Sequence, residues 1–146
     1  MIETQITRIE TDLNGLDMLL HQEITDIVLK SFYKVYNELR FGFLEKVYEN
    51  ALMIELRNNG LQSSQQCPIK VYYQQTPVGI YFADILVEDK IILELKAGEG
   101  SIILEHELQL VNYLKATEYE VGLILFFGEK PTMKRKIFTN QNKIIR

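Results

Sequence analysis

The stretch Ala83-Asp84-Ile85-Leu86-Val87-Glu88-Asp89-Lys90-Ile91-Ile92-Leu93-Glu94-Leu95-Lys96 sets two apolar runs on either side of three charged residues, the pattern of a β-hairpin. Its register decides what the hairpin carries. A two-residue turn at Glu88-Asp89 pairs residues whose numbers sum to 177, which puts Glu94 opposite Ala83 and Asp84 on the wrong face. A three-residue turn, Glu88-Asp89-Lys90, pairs residues summing to 178 and sets Asp84 directly opposite Glu94. A strand buries one whole face, so the hydrophobic pattern chooses between them. At 178 one face holds Ala83, Ile85, Val87, Ile91, Leu93 and Leu95, all apolar. The other holds Phe82, Asp84, Leu86, Ile92, Glu94 and Lys96.

Two carboxylates and an ammonium thus meet at one end of a greasy hairpin. Facing carboxylate oxygens suit a hard divalent cation such as Mg²⁺, or Mn²⁺, which keeps several waters and takes one or two protein carboxylates. A lysine beside them would orient or deprotonate a metal-bound water, or stabilise negative charge developing on a phosphate. The plainer alternative is a charged cross-strand cluster with Lys96 paired to Glu94 at the sheet surface.

Upstream, the period is helical. Leu16, Leu20, Ile24, Ile27, Val28, Phe32 and Val35 recur at three- and four-residue steps, with Asp12 or Asn14 able to cap the start and Arg40-Phe41-Gly42 ending the run. A second helix is expected from about Phe43 to Asn58, with Leu44, Val47, Ala51, Leu52, Ile54 and Leu56 as its apolar positions and Gly60 as its stop. The period then drops to two: a strand over Ile69–Tyr73, a turn at Gln74–Pro77, a strand over Val78–Val87 and another over Ile91–Lys96. Gly98 and Gly100 break that strand, and a third helix runs from Ser101 or Ile103 to Ala116, with Leu104, Leu108 and Val111 as its apolar side. Val121–Phe127 reads as a buried strand, and Ile137-Phe138-Thr139 as a last edge strand. The order implies an α/β fold: an antiparallel meander extended by a helical crossover strand, with helices against the sheet.

The 146 residues form about one domain, 1–146, long enough to bury a core without staples. A composition of 47% hydrophobic and 25% charged residues excludes a disordered, collagenous or coiled-coil chain. No apolar run approaches the ~18 residues of a membrane helix. Met1-Ile2-Glu3-Thr4-Gln5 lacks the basic start of a secretory signal, and Cys67 has no partner for a disulfide or zinc site, so a cytoplasmic protein with no membrane partner is expected. The net charge of −4 argues against nucleic acid, but its distribution does not. Residues 129–146 form a basic strand or tail, with Lys130, Lys134, Arg135, Lys136, Lys143 and Arg146 against Glu129 alone. Such a segment is either a solvated terminus or a source of phosphate contacts.

Further polar residues fall at helical spacings. Glu45 lies near a helix start, where its charge suits the dipole, with Tyr48 at i+3. His106, Gln109 and Tyr113 form a polar stripe on the third helix. Taken singly, the tyrosines read as core-edge aromatics and His21 and His106 as helix-surface residues.

Together the motifs resemble a known family. Gly42-Phe43-Leu44-Glu45-Lys46-Val47-Tyr48 is similar to the signature of the GxxExxY proteins, which resemble the PD-(D/E)xK nuclease superfamily of restriction enzymes and Holliday-junction resolvases. Asp84, with Glu94-Leu95-Lys96, resembles the D…ExK core, and His106-Glu107-Leu108-Gln109 the HxxQ-containing helix, over roughly residues 20 to 139. Phe41 replaces the proline usual before the motif glycine, and Tyr36 a common histidine. The resemblance implies a restriction-endonuclease-like mixed sheet and Mg²⁺-dependent hydrolysis of nucleic-acid phosphodiesters. It implies Asp84, Glu94 and the Leu95 carbonyl as metal ligands and Lys96 as the water-activating or phosphate-stabilising residue. Glu45 would support the metal directly or through water, and Gln109 and Tyr113 would orient the site or touch substrate phosphate. A catalytically inactive module binding nucleic acid or protein on the same fold is the alternative, and a homodimer through the first helix a further one.

Overall fold

The computed structural model describes residues 20–143. Leu16, the caps Asp12 and Asn14, and Arg146 lie outside the described residues. The helices are α1 (Gln22–Leu39), α2 (Glu45–Asn58) and α3 (Leu104–Ala116), and the strands β1 (Ser63–Tyr73), β2 (Thr76–Val87), β3 (Ile91–Ala97), β4 (Val121–Phe127) and β5 (Pro131–Ile137). The sheet runs in the order β1-β2-β3-β4-β5, with β3 and β4 parallel and every other neighbour antiparallel. This is the expected α/β arrangement: a meander extended through α3 into a parallel strand.

Two apolar layers hold it together. Val28 and Phe32 of α1 and Leu52 and Leu56 of α2 pack on Ile85, Val87, Ile91, Leu93 and Leu95, and on the odd-numbered positions of β4 from Val121 to Phe127. On the opposite face, Leu110, Tyr113 and Leu114 of α3 cover Ile69, Ile92 and Ile124. All seven residues of β4 are buried, as a strand covered on both faces requires. Each large side chain so buried contributes about 1.5–3 kcal/mol. The stripe of α1 is spent on this core, with Phe32 edge-on to Phe127 at 4.8 Å. Among the described residues, no helix is long and apolar enough to cross a membrane.

Gly60 stops α2 as expected: at φ 82° it lets the Leu61 N–H return to the Leu56 carbonyl at 2.9 Å. The three-residue turn is also observed. Glu88 and Asp89 are left-handed (φ 54° and 51°), the Lys90 N–H reaches the Val87 carbonyl at 2.9 Å, and Ile85↔Leu93, Leu86↔Ile92 and Val87↔Ile91 all sum to 178.

Several expectations are corrected. Strand β1 begins at Ser63, not Ile69, because β2 provides a full ladder partner for a polar, Pro68-containing segment. The β1–β2 turn needs only Gln74 and Gln75, both left-handed (φ 48° and 67°), so β2 starts at Thr76. The last strand spans Pro131–Ile137; Phe138 and Thr139 lie beyond it, and pairing with β4 rather than apolar content defines it. Ala83 packs with Ile92 and Ile124, not with Ile85 and Val87. The hairpin bends there: Gln65↔Ile85 and Cys67↔Ala83 pair, while Gln66, at φ 54°, leaves Asp84 without a ladder partner on β1. Leu44, Val47 and Ile54 of the α2 region, and Leu104 and Leu108 of α3, are exposed, because both helices turn tyrosines (Tyr48, Tyr113) inward instead.

Candidate active site

The β2–β3 ladder ends one pair short of Asp84 and Glu94, and there side chains replace the backbone. The Leu95 N–H donates to Asp84 Oδ2 at 2.7 Å, and the Asp84 N–H donates to Glu94 Oε1 at 3.3 Å. The β2–β3 ladder stops here while β1 and β2 stay paired, and the two carboxylates answer donors that the opening would otherwise orphan. The predicted juxtaposition of Asp84 and Glu94 is therefore observed, with both acids woven into the sheet.

The electrostatics are those of a negative site short of positive charge. Glu94 is only 5% exposed. Its burial, and then the Asp84 charge, push its carboxyl up to about 8. Burial also raises Asp84, opposed by the Leu95 N–H bond. Glu45, the first residue of α2, is raised by its partial burial and pulled back by the Lys96 charge. Lys96 thus acts on Glu45, Asp84 and Glu94 alike. Among the ion pairs of the described residues, none joins Lys96 to either hairpin carboxylate. The plain cross-strand pair that Lys96 and Glu94 would have made is not there.

Motif residues around α2 have separable tasks. Gly42 takes φ 124°, a conformation costly to any side chain, in the loop between α1 and α2. Tyr48 is fully buried, stacks on Phe127 at 4.2 Å, donates its hydroxyl proton to the Arg40 carbonyl and accepts from the Phe43 N–H at 3.2 Å. Glycine and tyrosine therefore shape the loop that delivers Glu45. Tyr36 serves the same end of the sheet, its hydroxyl within 2.7 Å of the Gly128 carbonyl and 2.6 Å of that of Glu129.

On α3, Tyr113 is brought to the site: its hydroxyl is pushed up to about 12 by burial and then by the Glu94 and Asp84 charges. His106 Nδ1 accepts from the Ile103 N–H at 3.3 Å, capping α3, and burial and the Lys96 charge lower its pKa. Gln109 is exposed and lines a groove shared with Tyr113, away from the hairpin carboxylates. His21 precedes α1 in a left-handed conformation, outside the site.

Sequence reasoning missed Glu49. It is buried, accepts from Lys46 at 2.8 Å, Gln65 at 2.6 Å and Gln66 at 3.1 Å, and its charge raises both Asp84 and Glu45. Gln66 also acts on Asp84, lowering its pKa, and so touches the electrostatics of both acids. The available signal was its i+4 spacing from Glu45.

Much of the basic C-terminal charge is engaged within the fold. Arg135 donates to Thr25 Oγ1 at 3.0 Å and to the Leu20 carbonyl at 2.6 Å. Lys136 pairs with Glu107 at 2.5 Å, and Lys143 donates to the Thr117 and Tyr119 carbonyls.

The donor set, oxygen only and anionic, fits a hard dication. Among the described residues no group of three or more His, Cys, Asp or Glu side chains is arranged to hold a metal ion. A cation such as Mg²⁺ takes one or two protein carboxylates and completes its shell with water and phosphate.

The sequence profile of the PD-(D/E)XK nuclease superfamily matches residues 22–137, from the first residue of α1 to the last of β5. The chain belongs to that superfamily, and its five-stranded mixed sheet flanked by three helices is the restriction-endonuclease-like fold. No curated protein and no solved structure matches the chain.

Proposed function

With membership of the PD-(D/E)XK superfamily as the premise, we propose that the chain is a Mg²⁺-dependent nuclease, with Mn²⁺ as a substitute ion, of the GxxExxY type. The observation that carries this reading is the opening of the ladder at Asp84 and Glu94, where a buried acid is raised to about 8 beside a second acid and the Lys96 charge. Asp84, Glu94 and the Leu95 carbonyl would hold the cation, with Glu45 supporting it. So bound, the ion supplies Lewis acidity toward a phosphate oxygen and a water of lowered pKa. Lys96 stabilises negative charge developing on the phosphate as water adds to phosphorus and the P–O ester bond breaks, the departing oxygen taking a proton from solvent water. Glu45, at the start of α2 beside the cation, takes the proton of the attacking water. Tyr113, whose hydroxyl stays protonated at neutral pH, donates to a phosphate oxygen. Gln109 contacts substrate further along the same helix.

The test is cleavage of a panel of DNA and RNA substrates with Mg²⁺ or Mn²⁺ by wild type, Asp84→Asn and Lys96→Met. Asparagine keeps an acceptor for the Leu95 N–H, so the fold is retained. Each variant should lose at least about a hundredfold in rate. An Asp84→Asn protein that cuts as fast as wild type ends the assignment.

A further inference from the structure

Beyond Asp84 the β1–β2 hairpin leaves the sheet: the β2–β3 ladder stops at Ile85↔Leu93, while β1 and β2 stay paired out to Tyr73↔Thr76. The free part of the hairpin and α3 enclose a groove of about 1210 Å³. Sites for drug-sized ligands occupy about 300–1,000 Å³, so this groove has room for a few nucleotides.

We propose that the groove between the β1–β2 hairpin and α3 seats unpaired nucleotides, making single-stranded nucleic acid the substrate class; the proposal rests on the phosphodiester hydrolysis proposed above. Five aromatic side chains line it: Tyr72, Tyr73, Tyr81, Tyr113 and Phe138. Tyr73 is 65% exposed and Tyr81 50%, although both sit beside a packed helix. Aromatic faces open to a groove are platforms on which unpaired bases stack, whatever their sequence. The amides of Gln109 and Asn112 lie along α3 within reach of base edges.

Charge points the same way. A protein that grips duplex DNA presents a row of Lys and Arg to its phosphates. The cations lining this groove are Lys115 and Lys143, opposed by Glu105, in a chain of net charge −4. Binding here has to draw on stacking more than on phosphate neutralisation. The groove shares one residue with the candidate active site. Tyr113 belongs to both, and its ring lies 5.6 Å from that of Tyr81, three residues from Asp84 on β2.

Fluorescence anisotropy in chelator tests this without cutting. Labelled single-stranded DNA, single-stranded RNA and a blunt duplex, each of about 12 nucleotides, are titrated with wild type, Tyr72→Ala, Tyr73→Ala and Tyr73→Phe. Circular dichroism confirms that the variants are folded. At least one single strand should bind more tightly than the duplex, each alanine should weaken it on the order of tenfold, and phenylalanine should restore it. The salt dependence should be shallow. Duplex binding equal to single-strand binding, alanine variants unchanged in affinity, or no binding of any oligonucleotide overturns the proposal. The hydrolase reading fails separately. Tyrosine-dependent binding by a protein that cuts nothing with any metal sinks hydrolysis and leaves the groove assignment standing. Metal-dependent cutting untouched by the tyrosine changes, with no preference for single strands, does the reverse.

Discussion

Replacing Glu94 by glutamine keeps the shape of the side chain and the oxygen that answers the Asp84 N–H, and deletes its charge. In the folded, metal-free protein the Glu94 carboxyl is raised from 4.5 to about 8 by burial and by Asp84. An acid whose folded pKa lies above its unfolded value holds its proton more tightly when folded. Its contribution to stability is complete below pH 4.5 and is lost as the pH rises to about 8. Each pH unit in that window costs about 1.4 kcal/mol. The loss reaches about 3 kcal/mol at pH 7 and about 4 kcal/mol at pH 8, against about 5–15 kcal/mol for a whole domain. Asp84 titrates in both proteins, so their difference reports Glu94 together with its coupling to Asp84. Urea unfolding in chelator should therefore give near-equal stability at pH 5 and a Glu94→Gln protein several kcal/mol more stable at pH 8. Parallel stability profiles from pH 5 to 8 refute the reasoning. The same acid is about nine-tenths protonated at pH 7, so Mg²⁺ added to weakly buffered wild type should release close to one proton per ion bound, and none from Glu94→Gln.

Other changes address the scaffold. Tyr48→Phe strips the hydroxyl from the Arg40 and Phe43 backbone groups and should cost about 1–3 kcal/mol by thermal unfolding; it should also lower cleavage rate, because the loop presents Glu45. Gly122→Ala drives a methyl to 2.6 Å from Leu110 Cδ1 and should cost about 1–3 kcal/mol by overpacking α3 against β4. Arg135→Met should destabilise the fold by about 1–3 kcal/mol through the orphaned Leu20 carbonyl and the lost bond to Thr25 Oγ1, yet leave nucleic-acid affinity unchanged. A large loss of affinity without loss of stability would show that Arg135 reaches phosphate instead.

The hairpin was legible because alternation over Ile85–Leu95 leaves one register that buries a full apolar face, and the Asp84–Glu94 meeting followed from counting. Helix α2 ended where Gly60 said it would. Other features were hidden by partnership. Ser63–Pro68 and Pro131–Lys136 carry little apolar signal, and each is a strand because β2 or β4 offers it a ladder. Leu104 and Leu108 suggested a buried stripe on α3, but Tyr113 took the inward position and left the leucines in solvent. Glu49 showed only as an i+4 neighbour of Glu45, because its importance comes from Gln65 and Gln66, which β1 brings to it. The basic run near the C-terminus looked like a phosphate contact surface, and three of its charges are engaged with α1, α3 and backbone carbonyls.

The Leu95 amide proton is held by a carboxylate oxygen in the middle of a strand whose neighbours are held by peptide carbonyls. Its nitrogen–proton resonance therefore reports the ionisation of Asp84 through a direct hydrogen bond. A single peak in an isotope-labelled sample would follow protonation, ion binding and the arrival of a phosphate at the site, with no turnover and no labelled substrate. The architecture has placed a built-in spectroscopic indicator at the point where chain folding and chemistry share an atom.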